Sequence, residues 1–149
     1  MTYQLERDAI ETYLDTAWQA AEPTVPIGLP DHDFTPVAES LQFNIKPGAV
    51  LQASTGQAGS NRIEHVGLVM VRIYSAGGKG EAAWRGHVDT LDGILSGARL
   101  DNAGAVETGI GEFIRFSHRD LYPYVVGSAP DGPLLVTTYF APFVRFETG

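Results

Sequence analysis

The sequence predicts a single α+β domain, residues 1–149, in which two helices pack on a mainly antiparallel β-sheet, or on a mixed one, with a long β-hairpin. The chain has 149 residues, 44% of them hydrophobic, which is enough for one core. Two stretches carry apolar residues at helical spacing, and several shorter runs are alternating or wholly apolar between Gly- and Pro-rich segments.

The first helix is predicted over residues 4–21. Its apolar side chains share one side, and Pro23 and Pro26 follow its end. The opposite side carries an acidic stripe, which consists of Asp8, Glu11, Asp15 and Glu22. Residues 1–40 hold eight acidic residues against one basic residue, so nearly all of the chain's net charge of −8 lies there. An acidic stripe of this kind is most often a solvated face.

Residues 24–39 contain three prolines and predict a surface connection with room for one short strand. A half-buried strand follows over 40–46, and Pro47-Gly48 is expected to stop it, with residues 49–54 as a candidate continuation after the kink. The segment 54–61 is small and polar, and the next strand covers 62–74. That strand is apolar on both faces from Val66 onward, which indicates a central strand covered on both sides. The two strands together predict the long hairpin.

The second helix is predicted over residues 79–96, with an apolar stripe of Trp84, Val88, Leu91 and Leu95. Gly86 and Gly93 lie inside it and are expected to pack closely on the sheet, because glycine otherwise destabilises a helix. Gly97 is the expected C-cap. A strand over 110–118, a turn-rich link over 121–133 and a closing strand over 134–146 complete the chain.

The glycine loop "GGKG", residues 77–80, lies between a strand and a helix, as phosphate-binding loops do. The Walker pattern around Gly78-Lys79 would need glycine at position 73 and a hydroxyl residue at position 80. The chain has Ile73 and Gly80 instead. The loop is therefore interpreted as a structural corner.

The histidines offer weak catalytic candidates. "DHDF" around His32 is the only local cluster, and no second cluster is spaced to complete a metal site, so no metal or other cofactor is expected. An enzyme or ligand-binding module would use His87 with Asp89, or His118 with Asp120. Nucleophile motifs such as G-x-S-x-G are absent from the sequence.

Composition argues against other classes of protein. The acidic balance disfavours a general nucleic-acid binder, since phosphate contacts need clustered Lys and Arg. No apolar run reaches the roughly 18 residues of a membrane span, and the polar N-terminus is unlike a signal peptide. The chain has no cysteine, which excludes disulfides and thiol catalysis.

Three segments together resemble a known family. They are the strand ending in "KPG", the block "RIEHVGLVMVRIYSAGGKGEAAWRGHVDTLDGILSG" and the ending "PDGPLLVTTYFAPFVRFE". In order and length they resemble the tail terminator, or tail completion, proteins of long-tailed bacteriophages. The resemblance implies a non-enzymatic subunit, without cofactors, that forms a ring, usually a hexamer, on the finished tail tube.

The same resemblance implies partners and a location. The partners would be further copies of the chain, either in a ring formed in solution or in one that forms from monomers only on a tube end. The other partners would be the tail tube protein and the head–tail connector, with DNA only passing through the channel and no membrane involved. The protein would lie at the head-proximal end of the virion tail, after assembly in the host cytoplasm. A head–tail joining protein or a minor tail protein is the close alternative.

Three candidate sites follow from the resemblance, each with a plainer alternative. The tube-contact loop, which could equally be an idle tip, comprises Ser54, Thr55, Gln57, Ser60, Asn61 and Arg62. The subunit interface, whose members could instead be core residues, comprises Phe113, Phe116, Phe140, Phe143 and Phe146. The acidic stripe would face the channel and repel DNA, or would simply be solvated.

Overall fold

A computed structural model of the chain describes residues 2–30, 33–52, 62–78, 82–107 and 112–148. It contains two helices and seven strands in these ranges. In chain order they are α1 (Thr2–Ala21), β1 (Ile27–Gly28), β2 (Ser40–Gln52), β3 (Arg62–Ala76), α2 (Ala82–Leu95), β4 (Arg99–Leu100), β5 (Ile114–Arg115), β6 (Tyr124–Asp131) and β7 (Leu134–Thr148). The predicted α+β class is confirmed.

The strands form one mixed sheet in the order β1-β2-β3-β7-β5-β4, and β6 pairs with β7. β1 runs parallel to β2, and the other pairs of neighbouring strands are antiparallel. β2 and β3 pair from Ser40 opposite Tyr74 to Gln52 opposite Ile63, and residues 53–61 between them lie outside the described part of the chain.

The core lies between the helices and one face of this sheet. Alternation along each strand turns the odd-numbered residues of β3 and β7 toward the helices, and Val69, Val71 and Ile73 are fully buried there. Trp18 and Leu14 of α1 and Leu91 and Leu95 of α2 fill the other side of the core. Burial of these apolar side chains is the main force that holds the layers together.

Gly67 shows how closely the sheet and core fit. A Cβ atom at this position would lie 2.3 Å from Cζ of Phe143, which is far inside van der Waals contact. The Phe143 ring therefore crosses β3 where β3 has no side chain. This contact explains a glycine in the middle of a central strand.

β2 continues through Pro47-Gly48, because a register shift between Pro47 and Val50 absorbs the irregular residues and pairing resumes, as expected for a strand that continues after this kink. Two other strand predictions are wrong. Within the described residues of the strand predicted over 110–118, β5 covers only Ile114–Arg115. The link 121–133 contains β6, which forms a hairpin with β7 across Gly132 at φ 59°. β6 is mostly exposed and lacks alternation, so its sequence carried no strand pattern.

α2 confirms the predicted apolar stripe, whose four residues are all buried. Gly97 has a φ of 70° just beyond the helix, which confirms the left-handed C-cap. The prediction that Gly86 and Gly93 pack closely on the sheet is wrong. A Cβ atom at either position would meet nothing within 4 Å. Within the described ranges, neither helix has the length and apolar character needed to cross a bilayer.

We predict that Gly86→Ala and Gly93→Ala each raise the free energy of unfolding by about 1 kcal/mol, because alanine lowers the entropy cost of the helix and clashes with nothing. Denaturant unfolding followed by circular dichroism measures the change. Gly67→Ala is the matched control and should destabilise the protein, since its methyl group overlaps Phe143. A loss of stability in both helix variants would contradict this account of α2.

Candidate functional site

The glycine corner after β3 is fixed by backbone contacts. The N–H of Gly77 donates to the carbonyl oxygen of Pro133 at 2.9 Å, and a Cβ atom at Gly77 would lie 2.8 Å from that oxygen. Gly78 follows with a φ of 74°. The corner thus ties the end of β3 to the β6–β7 turn, which supports its interpretation as a structural element. Residues 79–81 lie outside the described part of the chain.

His87 is held by a carboxylate other than the predicted one. Its Nε2 lies 2.5 Å from Oε2 of Glu39, while Asp89 is exposed. His87 is nearly buried, and its ring meets that of Trp18 at 6.0 Å in an edge contact. Glu39 has a φ of 61°, in the left-handed region that disfavours glutamate. This pair joins the segment before β2 to α2, and the prediction that Asp89 is the partner is wrong.

His118 lies in a tight turn. Its backbone N–H and carbonyl pair with those of Leu121, and Asp120 is exposed between them. Nε2 of His118 is buried and has no hydrogen-bond partner among the described residues. Across those residues, no three His, Asp or Glu side chains converge as a metal site would require. Asp31 and His32 of the "DHDF" cluster lie outside the described ranges.

The most unusual polar group is Arg145, which is fully buried on the helix side of β7. Its Nε donates to Oε1 of Glu6 in α1 at 3.1 Å, and its Nη1 lies 3.5 Å from Oε2 of Glu147. The same Oε2 lies 2.6 Å from Nε2 of His65. The Tyr3 ring covers the guanidinium at 5.0 Å. This buried charge cluster fastens the start of α1 to the ends of β3 and β7.

The cluster shifts the titration of Glu6. Burial raises the pKa of the Glu6 carboxyl above its ordinary value of 4.5, and the hydrogen bond and charge of Arg145 act in the opposite direction. Sequence reasoning missed this cluster. The motif "FVRF" did carry a signal, because strand alternation places Arg145 on the same side as the core residue Phe143.

Two tyrosines attach α2 to its neighbours. The Tyr13 hydroxyl donates to the carbonyl oxygen of Ile94 at 2.5 Å, and the Tyr139 hydroxyl donates to Oδ1 of Asp92 at 2.6 Å. Burial raises the pKa of Tyr13, and burial together with Asp92 raises the pKa of Tyr139 well above its usual range. Both tyrosines therefore stay neutral donors at any physiological pH.

Asp8, Glu11 and Asp15 of the acidic stripe lie on α1 as predicted, on a side turned away from the core, and Glu22 lies just beyond the end of the helix. Glu11 accepts a hydrogen bond from Arg7 at 2.9 Å. Glu22 accepts one from Thr90 at 3.2 Å, and Asp8 accepts one from Gln4 at 3.0 Å. Much of the stripe is thus tied to its own subunit, and its placement in a channel stays a prediction.

The five phenylalanines predicted for the subunit interface divide between core and surface. Phe116 and Phe143 are fully buried in the subunit's own core and contact each other at 6.2 Å, so the interface prediction is wrong for these two. Phe113, Phe140 and Phe146 are half-buried. Phe140 and Phe146 belong to the even-numbered residues of β7, which point away from the helices.

The tube-contact loop lies outside the described residues, with the exception of Arg62. The Arg62 guanidinium stacks on the Phe146 ring at 3.8 Å, and Arg115 approaches the same ring at 5.1 Å. Arg115 and Arg99 both approach Oε1 of Glu112, at 3.4 and 3.7 Å. Arginine side chains therefore gather at this end of the sheet.

The even-numbered side of β3 and β7 forms what we call the open face. The side-chain contacts that join β7 to the helices involve odd-numbered residues such as Tyr139 and Arg145. On the open face, Leu68, Met70 and Phe140 are only half-buried. Segment 33–39 covers one end, where the Phe34 and Tyr74 rings are 6.2 Å apart. Within the described chain, the expectation that β3 is covered on both sides is met in full on the helix side and only in part on the open face, where Tyr74 is buried.

A second apolar surface lies along α1. A groove of about 410 Å³ runs between the helix and the loop that follows β4. Val106 at its edge is 63% exposed. Its walls are small or apolar, and they consist of Thr12, Tyr13, Thr16, Ala17, Ala20, Ala103, Gly104, Ala105 and Val106.

Comparisons with known proteins support the fold. No family model matches the sequence, and no curated protein matches it. A solved structure matches over 100% of this chain and 99% of that chain, with a TM-score of 0.70 and 19% sequence identity. At this identity the likeness shows that the two chains share a fold over their whole length, and nothing further.

We predict that Arg145→Met lowers the free energy of unfolding by about 3–5 kcal/mol, because it leaves the Glu6 carboxylate buried without its partner. Adding Glu6→Gln to this variant should recover part of the loss, since the unpaired charge is then gone. Arg72→Met, on an exposed arginine of β3, is the control and should change stability by less than about 0.5 kcal/mol. Equal effects of Arg145→Met and Arg72→Met would contradict the role of the cluster.

The raised pKa of Glu6 predicts the pH dependence of stability. Folding favours the neutral carboxyl, so the stability from this group is fully present below pH 4.5 and is lost as pH rises through the folded-state pKa. The native protein should therefore lose stability relative to Glu6→Gln as pH rises from 4 to 7. Urea unfolding of both proteins across this range measures the difference. A difference that is flat, or that grows in favour of the native protein, contradicts the assignment.

Proposed function

We propose that this chain is a structural assembly protein, a tail terminator that caps the finished tail tube of a long-tailed bacteriophage as a ring of identical subunits. The ring would then present its other side to the head connector, with DNA passing through the centre. The observation that carries the proposal is the open face, where a central strand shows apolar side chains to solvent. The resemblance of the sequence to tail terminator proteins is the reason for proposing this assembly and no other.

The open face suits a protein that works by contact. Apolar side chains that remain half-exposed at the middle of a sheet are typical of surfaces that a partner covers. The face is built on the long β3–β7 pairing, which is regular over fifteen register positions from Arg62 to Ala76. A rigid surface of this kind loses little conformational entropy on binding.

We further propose that the paired strands β2 and β3 act as an arm toward the tube. The residues of β2 from Lys46 to Val50 are all exposed. The predicted contact residues Ser54 to Arg62, of which only Arg62 lies in the described part of the chain, follow β2 in the sequence and would be the part that meets the tube. The proposal, following the family resemblance, has the protein at the head-proximal end of the virion tail.

Two other functions, a different tail protein and an enzyme, make different demands on the structure. A head–tail joining or minor tail protein would use the same open face without fixing tube length. An enzyme would need a reactive His87 or His118, but the structure places His87 against Glu39 and His118 in a tight backbone turn. Neither histidine is paired with the aspartate that the enzymatic interpretation required.

The capping test uses tube protein that polymerises in solution. We predict that adding this protein stops elongation and leaves a ring at one end of each tube, visible by negative-stain electron microscopy. A variant with Leu68→Asp and Met70→Asp should fail to cap, because charge on the open face opposes burial. The control Gly93→Asp adds a charge at an exposed position of α2 and should still cap.

Unchanged tube growth in the presence of the native protein would reject the terminator proposal. Binding along or at the end of tubes without any effect on their length would favour the joining or minor tail protein. Circular dichroism of each variant verifies that it is folded before the assay.

A further inference from the structure

We infer that the subunits contact one another head to tail, with the acidic outer side of α1 and its groove packed on the open face of the next copy. The inference rests on the proposed function, which requires the chain to associate with itself. It names the two surfaces and the charge pairing that brings them together.

The open face is basic around its apolar centre. The register of the strands places Lys46 opposite Leu68, Arg72 opposite Thr138 and Arg115 opposite Val144, all on this side. Among the described residues on or beside this face, the basic ones are Lys46, Arg62, Arg72, Arg99 and Arg115, and the acidic ones are Asp33, Glu64, Glu112 and Asp131. In a chain of net charge −8, a surface on which basic residues outnumber acidic ones needs an explanation.

The outer side of α1 has the opposite character. Thr12, Thr16 and Ala20 form one wall of the groove. Helical spacing places Asp8 and Asp15 next to Thr12, so these two acidic residues border the groove, whereas Glu11 and Glu22 lie further round the helix against Arg7 and Thr90. The small side chains of the wall leave room for larger apolar side chains such as Met70 and Phe140 of another copy.

The two surfaces lie on opposite sides of the subunit. α1 packs on the odd-numbered side of β7 through Glu6 and Arg145, and its stripe is turned away from that contact. The open face is the even-numbered side. A contact between them is therefore heterologous, so it repeats from copy to copy and closes into a ring when the rotation allows. A symmetric dimer could not pair the acidic surface with the basic one in this way.

A second copy of the chain is the occupant that fits both surfaces at once. Its acidic stripe matches the basic rim of the open face, and its groove accepts the apolar centre. Charge complementarity of this kind fixes register and raises the rate of association. It also predicts that association weakens as salt screens the charges.

Charge reversal tests the pairing. Asp8→Lys with Asp15→Lys reverses the stripe, and Lys46→Glu with Arg72→Glu reverses the rim. We expect each pair of substitutions alone to weaken self-association, measured by sedimentation equilibrium, by at least tenfold, about what one lost charge pair contributes. All four substitutions in one chain should restore association to near the native value. Asp89→Lys with Asp120→Lys is the control, since it changes the net charge equally at exposed positions outside both surfaces.

Cysteine cross-linking extends the test to weak association, because the native chain has no cysteine. Thr16→Cys and Met70→Cys in one chain should form intermolecular disulfides that produce a ladder of oligomers. The control Thr16→Cys with Gly93→Cys should not. Association unaffected by charge reversal, no recovery in the fourfold variant, or cross-linking no greater than the control would each overturn the inference.

The tests of this subunit contact and the capping test of the proposed function can fail independently. Native protein that caps tubes but shows no effect of charge reversal would reject these surfaces and leave the terminator proposal intact. Both proposals would be rejected if the native protein does not cap tubes and if the variant with Thr16→Cys and Met70→Cys forms no more cross-links than its control at about 1 mM, the weakest association worth considering. A stripe that lines a channel would leave association unchanged on reversal of Asp8 and Asp15.

Discussion

The burial of β3 on one side by helices and on the other side only in part is the constraint on which the rest of the structure depends. From Val66 to Ile73 the strand presents apolar side chains in both directions. α1 and α2 satisfy one direction with a core that includes Val69, Val71 and Ile73 at full burial. The other direction leaves Leu68 and Met70 half-exposed. A protein that keeps such a strand at its centre is organised for contact with a partner.

The helices are fixed to the sheet by polar groups as well as by the core. Arg145, Glu6, His65 and Glu147 form a buried charge cluster at one end of the sheet, and the Glu39–His87 pair holds the other side of α2. Such groups are costly to bury unless they are paired. They favour one orientation of α1 and α2 over alternatives that would bury the same apolar area. The outer side of α1 is thereby presented in a defined direction.

The sequence was sufficient to predict the elements whose patterns are local. The helices and their stripes, the strand 62–74 and the C-cap at Gly97 follow from periodicity and glycine chemistry. β6 could not be predicted in this way, because it is exposed and has mixed composition, and only its pairing with β7 makes it a strand. The prediction that Gly86 and Gly93 pack closely on the sheet was wrong, because the presence of a glycine in a helix does not tell whether that position faces the sheet or the solvent.

The polar sites were the hardest to predict, because their partners are distant in sequence. Glu39 lies 48 residues from His87, and Glu6 lies 139 residues from Arg145. The nearby aspartates, Asp89 and Asp120, were the only partners that a linear sequence could suggest. The division of the phenylalanines between core and surface could be predicted in part, since alternation along β7 places Phe143 on the opposite face from Phe140 and Phe146.

Hydroxyl-radical footprinting of Met70 and Phe140 tests the central claim most directly, because both side chains lie at the middle of the open face. The account predicts that their oxidation rates fall as the protein concentration rises and copies associate, while the rate at Tyr122 in the exposed turn before β6 stays constant. Rates at Met70 and Phe140 that remain unchanged while the protein demonstrably assembles would show that the open face is not the surface that partners cover.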